Sequence, residues 1–308
     1  MISRRILLAG MAAGATAPAL AQSWKSQYPE LVYAAVPAEN ASGVADRMAP
    51  FVAYLSKAIG TKVTLRIAND YAAVIEGQRA GNIHIGYYGP ASFARARLTG
   101  VKTDAFIIDV NSDGTKGYYS VFYVKANSPF QKIEDLKGKN LGLVDPNSTS
   151  GYNMPLYALD KHGITAEKFF NKVEVTGSHE NAVLALVQGT VDTCANWWNA
   201  EDDSNLTRML TKGMVKNPDG SPAKVSDFRI ILKSDLIINS PTAMLSDLPP
   251  DLKASIKNAF MNAATADKAA FDKLSDGKNL PWQTVTNEDY NDTIKLIQFV
   301  DALRKKSA

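Results

Sequence analysis

The sequence predicts an α/β protein of two lobes with a cleft between them, and three features predict it. Short apolar strands alternate with amphipathic helical runs along most of the chain. That order builds mixed, mostly parallel sheets flanked by helices. The alternation breaks once, at Asn111 to Gly117, and then restarts, which makes two α/β sets. Two strand-like crossings, near 118 and 234, act as hinges between the sets. The expected division is 22–118 plus 235–308 for the first lobe and 119–234 for the second, with the carboxyl-terminal helices returning to the first.

The amino terminus reads as an export signal over 1–21. Arg4 and Arg5 form its charged start, Ile6-Leu7-Leu8 opens a short apolar stretch, and Ala19-Leu20-Ala21 offers a cleavage site. The arginine pair also fits the twin-arginine route. Leu31 to Val36 is the first strand. The next helix begins or kinks at Pro50, keeps Phe51, Val52, Leu55 and Ile59 at helical spacing, and stops at Gly60. Val63, Leu65 and Ile67 alternate as a strand does. Asp70 caps a helix from Tyr71 to Ala80 that Gly81 ends, and Ile83 to Tyr87 is strand. Pro90 suits the first position of a helix that Gly100 closes. Ala105 to Val110 and Tyr119 to Lys125 are strands on either side of the break. Then come strand 140–144, helix 152–162, strand 172–175, helix 179–188, and strands 190–195 and 228–233. Helical runs at 249–274 and 287–305 finish the chain.

At 308 residues and 45% hydrophobic content, the chain can fill the cores of two modest domains. Its 34 Lys and Arg against 31 Asp and Glu give +3, and losing Arg4 and Arg5 with the signal leaves +1. There is no basic excess to hold nucleic acid or a membrane surface. Apolar runs beyond the amino terminus are too short to span a bilayer. The one cysteine, Cys194, cannot form an internal disulfide and falls in a predicted strand, as a small core residue. No Cys follows the signal to carry a lipid. The expected product is an exported periplasmic monomer without cofactor or metal.

Function is expected at the strand-to-helix turns, because ligands of open α/β sheets bind beyond the carboxyl ends of the strands. The most informative turn is Asp145-Pro146-Asn147-Ser148-Thr149-Ser150-Gly151, between strand 140–144 and helix 152–162. Backbone N–H groups and a positive helix end face outward there. Three consecutive hydroxyls add donors, a composition suited to a tetrahedral oxyanion. One hydroxyl alone would be an ordinary N-cap. The other polar or aromatic turns hold Asp70-Tyr71, Tyr88-Gly89-Pro90 and Ser178-His179. Tyr71, Tyr88 and His179 can thus add neutral donors to the same cleft, holding an anion without Arg or Lys.

Each has a plainer reading. Tyr71 suits a half-buried helix position, and His179 a first-turn surface position. Tyr87 and Tyr88 point in opposite directions, so one of them belongs to the core. Asp70 is an N-cap rather than a ligand. Trp197-Trp198, expected in a loop after strand 190–195, is either a core plug or an apolar wall of the cleft. Catalysis has less support: there is no G-x-S-x-G elbow, Walker loop, dinucleotide fingerprint or H-E-x-x-H. Ser148 and His179, taken as nucleophile and base of a phosphorus-ester hydrolase, lack an orienting carboxylate. A ferric-ion-binding protein using Tyr87, Tyr88 and a His would need both tyrosines on one side and carboxylates besides.

The chain resembles the periplasmic phosphonate-binding proteins of ABC transporters over nearly its whole mature length. The residues that carry the resemblance are Asp70-Tyr71-Ala72-Ala73-Val74-Ile75-Glu76-Gly77, Tyr88-Gly89, the 145–151 turn, His179-Glu180 and Val191-Asp192. The resemblance implies a type II periplasmic binding protein fold that closes on a phosphorus oxyanion and delivers it to an inner-membrane ABC permease. It implies Tyr71, Tyr88, Ser148, Thr149, Ser150 and His179 as the head-group ligands. Relatives that take aminoethylphosphonate carry two carboxylates for its ammonium, at positions that align with Asn199 and Ser240 here. Burying an ammonium without a carboxylate is costly. The expected ligand is therefore phosphite or a short alkylphosphonate such as methylphosphonate, with Trp197-Trp198 beside it and an aminoalkylphosphonate as the alternative. Glu201, Asp202 and Asp203 are the nearby acids that would favour the alternative.

Overall fold

A computed structural model describes residues 23–37 and 41–307, so the expected signal at 1–21 lies outside the described residues. The chain begins with β1 (Glu30–Ala35), α1 (Ala41–Ile59), β2 (Lys62–Ile67), α2 (Tyr71–Arg79), β3 (Ile85–Tyr87), α3 (Pro90–Leu98) and β4 (Thr103–Asn111). It crosses to β5 (Gly117–Lys125), β6 (Asn140–Leu143), α4 (Met154–Lys161), α5 (Ala166–Phe169), β7 (Lys172–Val175) and α6 (His179–Gln188). From there it runs through β8 (Thr193–Ala200), β9 (Asp203–Ser204), α7 (Asn205–Thr211) and β10 (Phe228–Lys233). It returns by β11 (Ile237–Ile238) to β12 (Pro241–Leu245), α8 (Pro250–Ala266), α9 (Lys268–Lys273), β13 (Asn279–Thr284) and α10 (Asn291–Ser307).

Two sheets result. One has the order β13-β4-β12-β3-β1-β2; the other is β10-β5-β8-β6-β7, with β9 on β8 and β11 on β5. The βα units give the parallel pairs β1–β2, β1–β3, β6–β7 and β6–β8. Strands that follow a crossing pair antiparallel: β5 with β8, β10 with β5, and β12 with both β3 and β4. The sheets are therefore less parallel than the alternation implies. β12 and β13, which read as part of no strand in the sequence, return from the far half in the opposite direction.

Local signals hold where local chemistry decides. Asp70 accepts from Ala73 N and caps α2. Pro90 is the first residue of α3, after Gly89. Pro50, in contrast, neither starts nor delimits α1, which begins at Ala41 and runs through it. Val44, Met48, Phe51, Leu55 and Ile59 are all buried on that helix. At about 1.5–3 kcal/mol each, their burial outweighs the roughly 3 kcal/mol that an interior proline costs. The expected run 249–274 breaks at Asp267, whose carboxylate caps α9 by accepting from Ala270 N. Trp197 and Trp198 lie inside β8 rather than in a loop.

The core of the first half is an aromatic cluster. Phe260 meets Phe51 at 5.2 Å and Phe106 at 5.2 Å between ring centres, and Trp282 meets Phe271 at 4.9 Å. The core of the second half is mostly aliphatic, around Phe122, Leu141, Leu143 and Leu159. α10 touches both halves: Ile297 packs on Ala91 and Ala94 of α3, while Val300 joins the second core. The last helix therefore straddles the halves instead of returning to the first alone.

Candidate oxyanion-binding site

The turn after β6 becomes a wide π-type turn, Thr149–Asn153, before α4. Ser148 caps it, its Oγ accepting from Gly151 N at 3.1 Å. Asn153 straps the turn from within, its Nδ2 donating to the carbonyls of Pro146 (2.9 Å) and Ser148 (2.8 Å). Gly151 is required by space: a Cβ there would sit 2.3 Å from Val144 Cγ2. The first N–H groups of a helix have no partner in the helical ladder, so this strapped turn presents donors of fixed direction.

Other elements bring further donors. Tyr71, the first residue of α2, is buried beside Ser148. Burial pushes its phenol well above the ordinary value, and the neighbouring Ser148 hydroxyl only partly offsets this. Tyr118, at the start of β5, lies beside Thr149 and Ser150, and burial pushes its phenol up to about 12. Both stay neutral at physiological pH. His179, the first residue of α6, places Nε2 3.4 Å from Ser148 Oγ. Its Nδ1 lies 2.9 Å from Asn196 Oδ1, while Asn196 Nδ2 donates to the His179 carbonyl. That second bond fixes the amide's orientation, so Nδ1 donates to Asn196, while Nε2 accepts in the neutral ring and donates in the charged one. Thr149 joins the halves directly: its Oγ1 accepts from Ala91 N, at the start of α3, at 2.8 Å.

These groups form one end of a cavity of about 190 Å³ between the two halves. Its remainder is walled by Tyr33, Arg47, Tyr87, Asp109 and Trp282 from the first half and by Trp197, Asn199 and Arg208 from the second. Asp109 accepts from Tyr87 Oη at 2.7 Å and Trp282 Nε1 at 2.8 Å. Burial pushes its carboxyl up, against those two bonds and the Arg208 and Arg47 guanidiniums, which pull it down. The Arg208 guanidinium lies 4.8 Å over the Trp197 ring and bonds Asp203 at 3.3 Å.

Of the expected residues, Tyr71, Ser148, Thr149, Ser150 and His179 line this cavity, as do Trp197, Asn199 and Ser240. Two do not. Tyr88 is fully buried behind the wall, and its hydroxyl donates to Gln78 Oε1 at 2.9 Å. Strand alternation sends Tyr87 to the cavity instead, so the two cannot form a phenolate pair. Trp198 points to the other face of β8, against Tyr119 and 4.5 Å from Lys233 Nζ. Tyr118 and Asp109 escaped the sequence analysis, although both left a trace. Tyr118-Tyr119 opens a strand at a crossing, where alternation sends one ring to the cleft. Asp109 is an acid inside the apolar run Ala105 to Val110. The lack of an acid at Asn199 and Ser240 therefore does not leave the cavity without a carboxylate. Asp109 sits beside Ser240 on the paired strand, its N–H bonding the Ser240 carbonyl at 3.5 Å. Of the acids near Asn199, Asp202 pairs with Lys278 at the surface, and Asp203 holds Arg208 and Asn199 Nδ2.

The family model described as "ABC transporter, phosphonate, periplasmic substrate-binding protein" matches residues 33–290. The phosphonates-binding periplasmic protein of Escherichia coli (strain K12) is 31% identical over 257 residues, covering 81% of this chain and 71% of that one. The phosphate-import protein PhnD of Mycolicibacterium smegmatis is 29% identical over 270 residues, covering 84% and 79%. In fold, the binding protein component of an ABC phosphonate transporter from Pseudomonas aeruginosa superposes with a TM-score of 0.76 at 24% identity, covering 90% of this chain and 88% of that one. The chain belongs to the family of periplasmic substrate-binding proteins of phosphonate ABC transporters.

Proposed function

We propose that the protein holds the head group of a phosphonate at the Ser148-Thr149-Ser150 turn and presents it to an ABC permease. One observation carries this reading: hydroxyls from both halves, a helix start and an imidazole edge converge on one end of the cavity. In this reading Ser148, Thr149 and Ser150 bond the phosphoryl oxygens, with Tyr71 and Tyr118 as neutral donors. His179 shares a proton with the anion. A neutral Nε2 would meet an oxyanion lone pair to lone pair, so either the ring takes a proton or the bound oxygen keeps one. The ligand then bridges 22–118 plus 235–308 and 119–234, stabilising the closed arrangement. A monomer suffices for this, and nothing in the reading calls for a metal or a turnover step.

Among phosphorus acids, the cavity volume favours a phosphonate with an organic substituent over phosphite. One water needs about 10–15 Å³, so about 190 Å³ has room for roughly a dozen. The test is thermal denaturation of the mature chain with phosphite, methylphosphonate, aminoethylphosphonate, phosphate and ferric citrate. A ligand bound to the native state raises the melting temperature by mass action. Phosphonates are expected to raise it most. A melting temperature that no phosphorus anion moves would sink the reading, and a shift with ferric citrate alone would replace it. Product released from a phosphorus ester would restore the hydrolase.

A further inference from the structure

The head group occupies one end of the cavity, and the opposite end is built for something else. One carboxylate, Asp109, lines that space. Each Asp109 oxygen accepts one bond, Oδ1 from Trp282 and Oδ2 from Tyr87, and each retains capacity for another.

Charge narrows the choice. Arg47 and Arg208 border the same space and act on Asp109, so a cationic tail reaching the carboxylate would meet two guanidiniums. An anionic tail reaching the guanidiniums would meet Asp109. A neutral tail rich in donors conflicts with neither, and the faces of Trp197 and Trp282 suit its C–H groups.

We infer that the physiological ligand is a phosphonate, or a phosphorus ester with the same head, bearing a polyhydroxylated organic tail of glycerol to small-sugar size, with Asp109 accepting from its hydroxyls. This rests on the head-group reading above. The experiment is a matched pair by calorimetry on the mature protein: 2,3-dihydroxypropylphosphonate against propylphosphonate, with methylphosphonate as head-group control. Aminoethylphosphonate and phosphonoacetate serve as charged-tail arms. The diol is expected to bind at least about tenfold more tightly than the propyl compound, the scale of one hydrogen bond to a charged acceptor. Asp109→Asn, or Asp109→Ser where the first fails to fold, is expected to reduce that ratio to about threefold or less. Equal or tighter binding of propylphosphonate to the unmodified protein overturns the inference, and so does tighter binding of either charged-tail ligand. If methylphosphonate binds and the diol gains nothing, the tail inference alone falls. If no phosphonate binds, the head-group reading falls and takes the tail with it.

Discussion

The two ends of the cavity are made in different ways. One end centres on the turn 145–151, whose hydroxyls, glycine and Asn153 strap lie within a few residues of one another, with Tyr71, Tyr118 and His179 added from other elements. The far end is assembled from α1, β3, β4, β8, α7 and β13, elements remote in sequence, and it carries the charges. The difference teaches how a binding protein separates its tasks. In the proposed reading, a local motif recognises what all ligands of a class share, with donors that need little reorganisation. A composite wall recognises what distinguishes one ligand from another.

Removing a head-group donor tests the first half of that contrast most severely. Ser148→Ala is expected to weaken phosphonate binding by about 1.5–3 kcal/mol, the scale of a hydrogen bond to a charged group. It is read by calorimetry, and an unchanged affinity would place the head group elsewhere. Gly151→Ala drives a methyl group into Val144, at 2.3 Å before any adjustment. It should lower stability by about 1–3 kcal/mol, seen in urea denaturation, and weaken binding along with it. If stability falls while affinity holds, the turn's shape does not matter to the ligand.

Tyr118→Phe and Tyr88→Phe sharpen the contrast between wall and core. The first is expected to cost about 0.5–1.5 kcal/mol of affinity. The second should leave affinity alone and reduce stability by a similar amount, since its hydroxyl serves Gln78. The reverse pattern would return Tyr88 to the site. The smallest effect concerns His179. His179→Gln is expected to weaken phosphonate binding by no more than about 0.5–1 kcal/mol, read by calorimetry, and an unchanged affinity would remove the imidazole from the site.

Legibility followed the same division. Asp70, Pro90 and the 145–151 turn were readable because caps, first-turn prolines and consecutive hydroxyls act on the backbone within a few residues. Tyr88 was misread and Tyr118 overlooked for one reason. A pair of adjacent tyrosines on a strand announces that one faces the ligand, but its register against the neighbouring strands decides which. Asp109 was hidden in the same way. An acid in an apolar strand reads as an anomaly until Tyr87 and Trp282 are seen to hold it.

By itself the sequence determined the alternating α/β order, the two sets and the hydroxyl-rich turn after β6, since periodicity and capping depend on short-range sterics and hydrogen bonds. Tertiary structure alone decided that β12 returns antiparallel between β3 and β4, and that α10 straddles the halves. It also decided that a carboxylate from β4 and a guanidinium from α7 line the same cavity. Those outcomes depend on which distant surfaces bury one another, and no local window of the chain carries that information.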